Sequence, residues 1–248
     1  MKKMLSIGLT EIKLFLYTPL AYIISFAFYT VNGVLFWYLV NQANTPGEEM
    51  QGSVMSQMTG GIVFWLTLLI LIPVFSMRLI AFENERKTLQ HLFSSPVGTW
   101  QITLGKFSGA YFLYVLLWLP TLLYQGLLCY YSHPDTGPLL ASYLGVGLIG
   151  SFALSIGLFA SSLSKNQISA AVMTFSILMG LLLLSMFEML LKASWVKQAL
   201  LYLNFVEHFT SFSQGLIDTR DVVYFFSGTL FFLVASNEVL NYRRLNND

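Results

Sequence analysis

The sequence predicts an all-α membrane protein in a single domain, residues 1–248, built from six transmembrane helices, an amphipathic helix before them and a short charged helix between the second and third. Three observations carry that expectation. Hydrophobic residues make up 56% of the chain and aromatic residues 16%, with a mean hydropathy of +0.66. That is more apolar surface than a soluble domain can hide. Six apolar runs, at 19–40, 58–80, 107–131, 139–163, 168–191 and 222–240, each come close to the ~20 residues that cross a bilayer. Lys and Arg then divide unevenly between the two sides these spans define.

Taken in order, residues 3–17 set Leu5, Leu9, Ile12 and Leu16 against Lys2, Ser6, Thr10 and Lys13 at helical spacing. This suits a helix lying in the membrane interface until Pro19 begins the first span. Glu11 and Lys13 interrupt any leader-like apolar core, so no cleavable leader is expected. With both termini cytoplasmic, the inner side holds Lys2, Lys3, Lys13, Arg78, Arg86, Lys87, Lys106, Lys165, Arg243 and Arg244. The outer side holds Lys192, Lys197 and Arg220, a positive-inside split of ten to three. Pro73 and Pro120, each deep in a span, are expected to kink their helices. In the fourth span, Gly147, Ser151 and Ser155 recur every four residues, as do Ala153, Gly157 and Ser161. Such stripes of small residues let helices approach closely.

The segment between the second and third spans, FENERKTLQHLFSSP at 82–96, places four charges within five positions of a chain that is 10% charged. On one continuous helix over 82–95, Phe82, Leu89, Leu92 and Phe93 share a narrow arc flanked by Glu85 and Arg86, and Lys87, Gln90 and His91 lie opposite. Ser95-Pro96 ends it. Amphipathicity alone leaves two readings open: a ridge that inserts into a groove on a cytoplasmic partner, or a helix that lies on lipid. Residues 192–221 raise a similar choice. Trp195, Leu200, Leu203, Phe205, Phe209 and Phe212 suit either short helices dipping back into the outer leaflet or an aromatic interfacial belt.

Other chemistry has little foothold. No G-x-x-x-x-G-K-[ST] string occurs, so the chain is not expected to cradle ATP phosphates. His91, His133 and His208 are scattered without ligand spacing, and the single Cys129 lies in an apolar run. No metal or cofactor is therefore expected in this chain. Glu188 and Glu238, near span ends, suit interfacial anchoring rather than catalysis at depth. A net charge of +1 offers no basic field for nucleic acid.

The string AFENERKTLQHLFSSPVGTWQITLGKF resembles the cytoplasmic loop of type-2 ABC transporter permeases, the ABC-2 family, where an E-R-x-x-x-T-like or E-R-K-x-T-x-E-x-L-like string, a serine-proline and a G-K-F/W restart join the second and third spans. TEIKLFLYTPLAYI is similar to that family's interface helix and first span. HFTSFSQGLIDTRDVVYF resembles its gliding-motility branch. The chain departs at Gln90-His91, where the family carries a Glu. The resemblance implies that 82–95 is a cytoplasmic coupling helix docking on an ABC ATP-binding subunit. Its polar contacts would be Glu83, Glu85, Arg86, Lys87 and Thr88, and its apolar ridge Leu89, Leu92 and Phe93. It also implies outer re-entrant helices over 192–221 between spans five and six, with Glu207, His208 and Ser211 near an outer gate. The function implied is the permease subunit of an ATP-driven ABC-2 exporter in a bacterial inner (plasma) membrane. Two copies of the ATP-binding subunit would carry ATP and Mg, and a second permease copy or paralogue would complete the path. A membrane scaffold that docks a gliding or secretion ATPase without transport, and an intramembrane enzyme, are the rival readings. The aromatic-rich composition suits lipid-linked or polymeric cargo and plain lipid contact alike.

Overall fold

A computed structural model describes residues 2–45, 54–89, 97–132, 136–187, 202 and 204–245, and among them it contains helices and turns but no strand. The N-terminal helix α1 (Lys2–Leu16) leads into α2 (Pro19–Asn44), with Pro19 at the first helical position, where its missing N–H costs nothing. Then come α3 (Val54–Gly60), α4 (Ile62–Ser76), α5 (Ala81–Glu85) and α6 (Thr99–Trp118). A 3-10 turn at Leu119–Thr121 joins α6 to α7 (Leu122–Ser132). The chain closes with α8 (Thr136–Leu163), α9 (Gln167–Phe187), α10 (Phe205–Ser213) and α11 (Thr219–Leu245).

Among the described residues, five stretches are long and apolar enough to cross a membrane: Pro19–Asn44, Thr99–Leu128, Gly137–Leu163, Gln167–Met186 and Thr219–Leu245. The second expected span differs. Instead of one helix over 58–80, the chain forms α3 and α4 with a break at Gly61, whose backbone is extended. A Cβ there would sit 2.5 Å from the Gln57 carbonyl oxygen, so the sharp junction needs glycine. With 15 residues, α4 rises about 22 Å, short of the ~30 Å hydrocarbon core. At Pro120, whose missing N–H removes one helical bond, the helix tightens into the 3-10 turn, whereas Pro73 stays inside α4.

Helix α8 is the centre of the bundle, packing against α4, α6, α9, α10 and α11. Its small residues make that possible. A Cβ on Gly150 would fall 2.1 Å from a ring carbon of Tyr114, and one on Gly157 would fall 2.4 Å from Ser76 Cβ. The hydroxyls of Ser151 and Thr229 meet at 3.3 Å across the α8–α11 seam. At the N-terminus, α1 lies against α6 at a crossing of glycines: a Cβ on Gly109 would come within 2.9 Å of the Gly8 carbonyl oxygen. Ile12 turns toward the core, and Leu5, Leu9 and Leu16 stay exposed on the other face of α1.

Candidate functional site

The charged stretch is not the single helix expected over 82–95. It forms α5, which stops at Glu85, followed by a tight turn. The N–H of Thr88 donates to the Glu83 carbonyl at 2.9 Å and that of Lys87 to the Asn84 carbonyl at 3.1 Å. Lys87 between them has φ 58°, in the left-handed region. This is the Schellman ending, with lysine where glycine is usual, at a cost of about 1 kcal/mol for its Cβ. The Thr88 hydroxyl adds a bond to the Glu83 carbonyl at 3.3 Å. A periodicity argument has no sign of such a stop, because no glycine or proline marks it. Of the expected ridge, Leu89 is buried against the bundle, and Leu92 and Phe93 lie outside the described residues. Glu85, Arg86, Lys87 and Thr88 form an exposed polar tip.

Side chains of three other helices, α6, α8 and α9, hold residues 80–85, which carry that tip. The N–H groups of Ile80 and Ala81 both donate to Ser161 Oγ on α8, at 3.1 and 3.0 Å. Asn84 Nδ2 donates to the Ser164 carbonyl at 3.0 Å. Glu85 Oε2 accepts from the backbone N–H and side-chain amide of Gln167, the first residue of α9, at 3.3 and 3.0 Å. That places a negative charge on the positive end of the α9 dipole. Glu83, expected as a contact to a partner, instead accepts an ion pair from Lys106 on α6 at 2.8 Å. Lys106 is 1% exposed, and its Nζ also pairs with Glu11 of α1. The Glu11–Lys106–Glu83 triad thus joins α1, α5 and α6 through one buried ammonium. An ammonium taken out of water needs such partners, since an uncompensated buried charge costs several kcal/mol.

Sequence reasoning missed the roles of Glu11 and Lys106. The available signal was Lys106, the one charge in the 99–118 stretch and set beside Gly105 and Gly109, together with Glu11, the one acid in the 2–16 stretch. An acid and a base on helices that glycines let pack closely have reason to meet.

The opposite end of the bundle is built from rings. Asn204 caps α10, its side-chain oxygen accepting from the N–H groups of Val206 and Glu207 at 3.1 and 3.2 Å. Phe209 and Phe212 of α10 are fully buried. The Phe209 ring stacks on Phe64 at 4.9 Å, and Trp65 meets Phe205 and Phe209, each at 5.3 Å. The three expected gate residues do not converge. Glu207 is exposed and borders a 690 Å³ cleft between α4, α9 and α10 whose walls include Trp65, Leu69, Met179 and Met186. His208 turns to α11, its Nδ1 at 2.6 Å from Asp221 Oδ1 and its ring stacked on Tyr224 at 4.3 Å. Ser211 is half-buried in the same helix. Among the described residues no three His, Cys, Asp or Glu side chains gather as metal ligands do.

Comparison with known proteins gives two findings. The profile of the group described as ABC-2 family transporter protein matches residues 37–234. The chain is also 31% identical over 139 residues to a protein named probable multidrug ABC transporter permease YbhR, in Escherichia coli K12 and in Escherichia coli O157:H7. That match covers 55% of this chain but 37% of each relative, so the chain spans little more than a third of the length of the proteins it aligns with.

Proposed function

Because the chain belongs to the ABC-2 family of transporter proteins, we propose that it is the membrane-spanning permease subunit of an ATP-driven exporter. In this reading two separate ATP-binding subunits, carrying ATP and Mg, dock on the exposed tip at 85–88. A second permease copy or a related chain completes the translocation path. Both termini and the tip are cytoplasmic, following the distribution of Lys and Arg, and the α10 end faces outward. The substrate class is lipid-linked or polymeric. The apolar cleft with Glu207 at its border supports a cargo that is largely apolar with a polar end.

The observation that carries the proposal is how the tip is tied. A push on residues 85–88 reaches α1 and α6 through Glu83 and Lys106, α8 through Ser161 and α9 through Glu85. Directional bonds of this kind move their partners as one body instead of yielding locally, so closure of the ATP-binding subunits would tilt several spans together.

The test is an affinity pull-down of the tagged chain from its native host membranes, with Arg86→Glu plus Lys87→Glu for comparison. Both positions are exposed, so the variant is expected to insert and express normally. A phosphate-loop ATPase should accompany the native chain and be lost from the variant. If no ATPase accompanies the native chain, the reading fails. If one binds but its ATP turnover ignores every solute and vesicles move nothing, the chain is a tether and not a permease.

A further inference from the structure

Between α1, α4, α5 and α6 lies a second pocket of about 220 Å³, which shares Arg86 and Thr88 with the exposed tip. One wall is apolar, made of Leu14, Phe15, Phe75, Leu79 and Leu113. The other presents two guanidiniums to a single ring: Arg86 lies 4.3 Å and Arg78 5.4 Å from the centroid of Phe82. Neither forms an ion pair with a carboxylate among the described residues. Arg78 spends one donor on the Thr18 hydroxyl at 2.9 Å. Burial holds the Arg78 guanidinium below its usual value; Glu11 opposes that, and Arg86 reinforces it. The carboxylates that face the pocket, Glu11 and Glu83, are already committed to Lys106. Two carboxylates against three cations leave the cluster at +1.

Two like charges sharing one ring beside an apolar wall call for an anion that carries a hydrocarbon. We propose that this pocket binds the phosphate of an anionic phospholipid, with Arg78 and Arg86 on the phosphate and an acyl chain along Leu14, Phe75 and Leu113. The neighbourhood suits lipid. Leu14 of α1 lines the pocket and is exposed in the described chain, so the apolar wall runs out onto the helix surface. An acidic side chain of a protein partner would satisfy the guanidiniums but leave the apolar wall bare. The proposal needs the chain to sit in a bilayer; it does not depend on transport or on an ATP-binding subunit.

The experiment is native mass spectrometry of the purified, delipidated full chain titrated with phosphatidylglycerol, phosphatidylcholine or inorganic phosphate. One phosphatidylglycerol should be retained, and phosphatidylcholine should not compete with it. Arg78→Gln and Arg86→Gln should each weaken retention roughly tenfold, as loss of one charge-assisted contact does. Arg86→Gln reads the site without disturbing the α1–α2 corner that Arg78 also ties. Lys165→Gln removes an exposed cation from the same end of the bundle and should change nothing. Equal retention of the two lipids, or equal losses in all three variants, would overturn the proposal. Displacement of the lipid by millimolar inorganic phosphate would mark a small-anion site instead. If the Arg variants kept their lipid but lost a co-purifying protein, the guanidiniums would belong to that partner.

Discussion

At the end that carries the charged tip, α5 is held by named polar atoms: one ammonium, one serine hydroxyl, one asparagine amide and one carboxylate on a helix terminus. At the opposite end, α10 is held chiefly by rings, with Phe205, Phe209 and Phe212 set among Phe64, Trp65 and Phe225, and by one polar tie from His208 to Asp221 of α11. Polar bonds fix distance and angle together. Ring contacts are strong but tolerate a range of offsets and tilts. The difference teaches how one bundle can have a stiff end and a yielding end. On the function proposed above, α5 would pass on a push through the first kind of attachment, and α10 would shift against the second.

The comparison breaks most readily at Lys106. Lys106→Met removes the ammonium shared by Glu11 and Glu83 and leaves two carboxylates facing each other in a largely buried site. The loss should be about 3–5 kcal/mol, the scale for stranding a buried partner. Reversible unfolding in mixed detergent micelles measures it. Adding Glu11→Gln and Glu83→Gln to the same chain should restore part of the loss, since no charge is then left unpaired. A loss below about 1 kcal/mol for Lys106→Met would mean that the triad is not what holds α5, and the stiff end would lose its explanation.

Phe209→Ala probes the other side of the comparison. Phe209 is fully buried and stacks on Phe64, so its removal should cost about 3 kcal/mol or slightly more. The location of the effect matters more than its size. Hydrogen exchange should quicken across α10 and α3, while α5 and the first turn of α9 keep their protection. Exchange that quickened equally at both ends would show that the bundle opens as one unit, and the division into stiff and yielding ends would be wrong.

Much of the fold was legible because bilayer chemistry writes it in long apolar runs. Five of the six expected spans appear as helices long enough to cross, and the expected N-terminal helix runs from Lys2 to Leu16. The second span was misread because Gly60-Gly61 does not lower mean hydropathy; glycine breaks a helix by its backbone freedom, which a hydropathy window does not register. The charged stretch was found but its shape was not. Periodicity assumes a continuous helix, and Lys87 in a left-handed conformation is a tertiary outcome, secured by bonds from residues 80–85 to positions some 80 residues away. The same blindness hid the triad. Glu11 was weighed only as an interruption and Lys106 only as a positive count, because their pairing exists once α1 lies on α6. At the opposite end, the neighbours Glu207 and His208 were expected together, but consecutive residues on a helix point about 100° apart, so one reaches the cleft and the other α11.

The finest test of the stiff end is Glu85→Gln. The carboxylate is exposed and accepts from the first N–H of α9 and from the Gln167 amide. A glutamine can keep the geometry of one such bond but not the negative charge at the helix terminus. The expected loss is about 0.5 kcal/mol, too small for a global unfolding measurement to resolve well. Local hydrogen exchange resolves it: the amides of Ser169 and Ala170 should exchange roughly twofold faster, with those of α10 unchanged. Raising the salt concentration should erase the difference between native and variant chains, because a surface charge on a dipole is screened. If the twofold change persisted in high salt, the tie between tip and α9 would be one of shape and not of charge, and a push at residue 85 would reach α9 through packing alone.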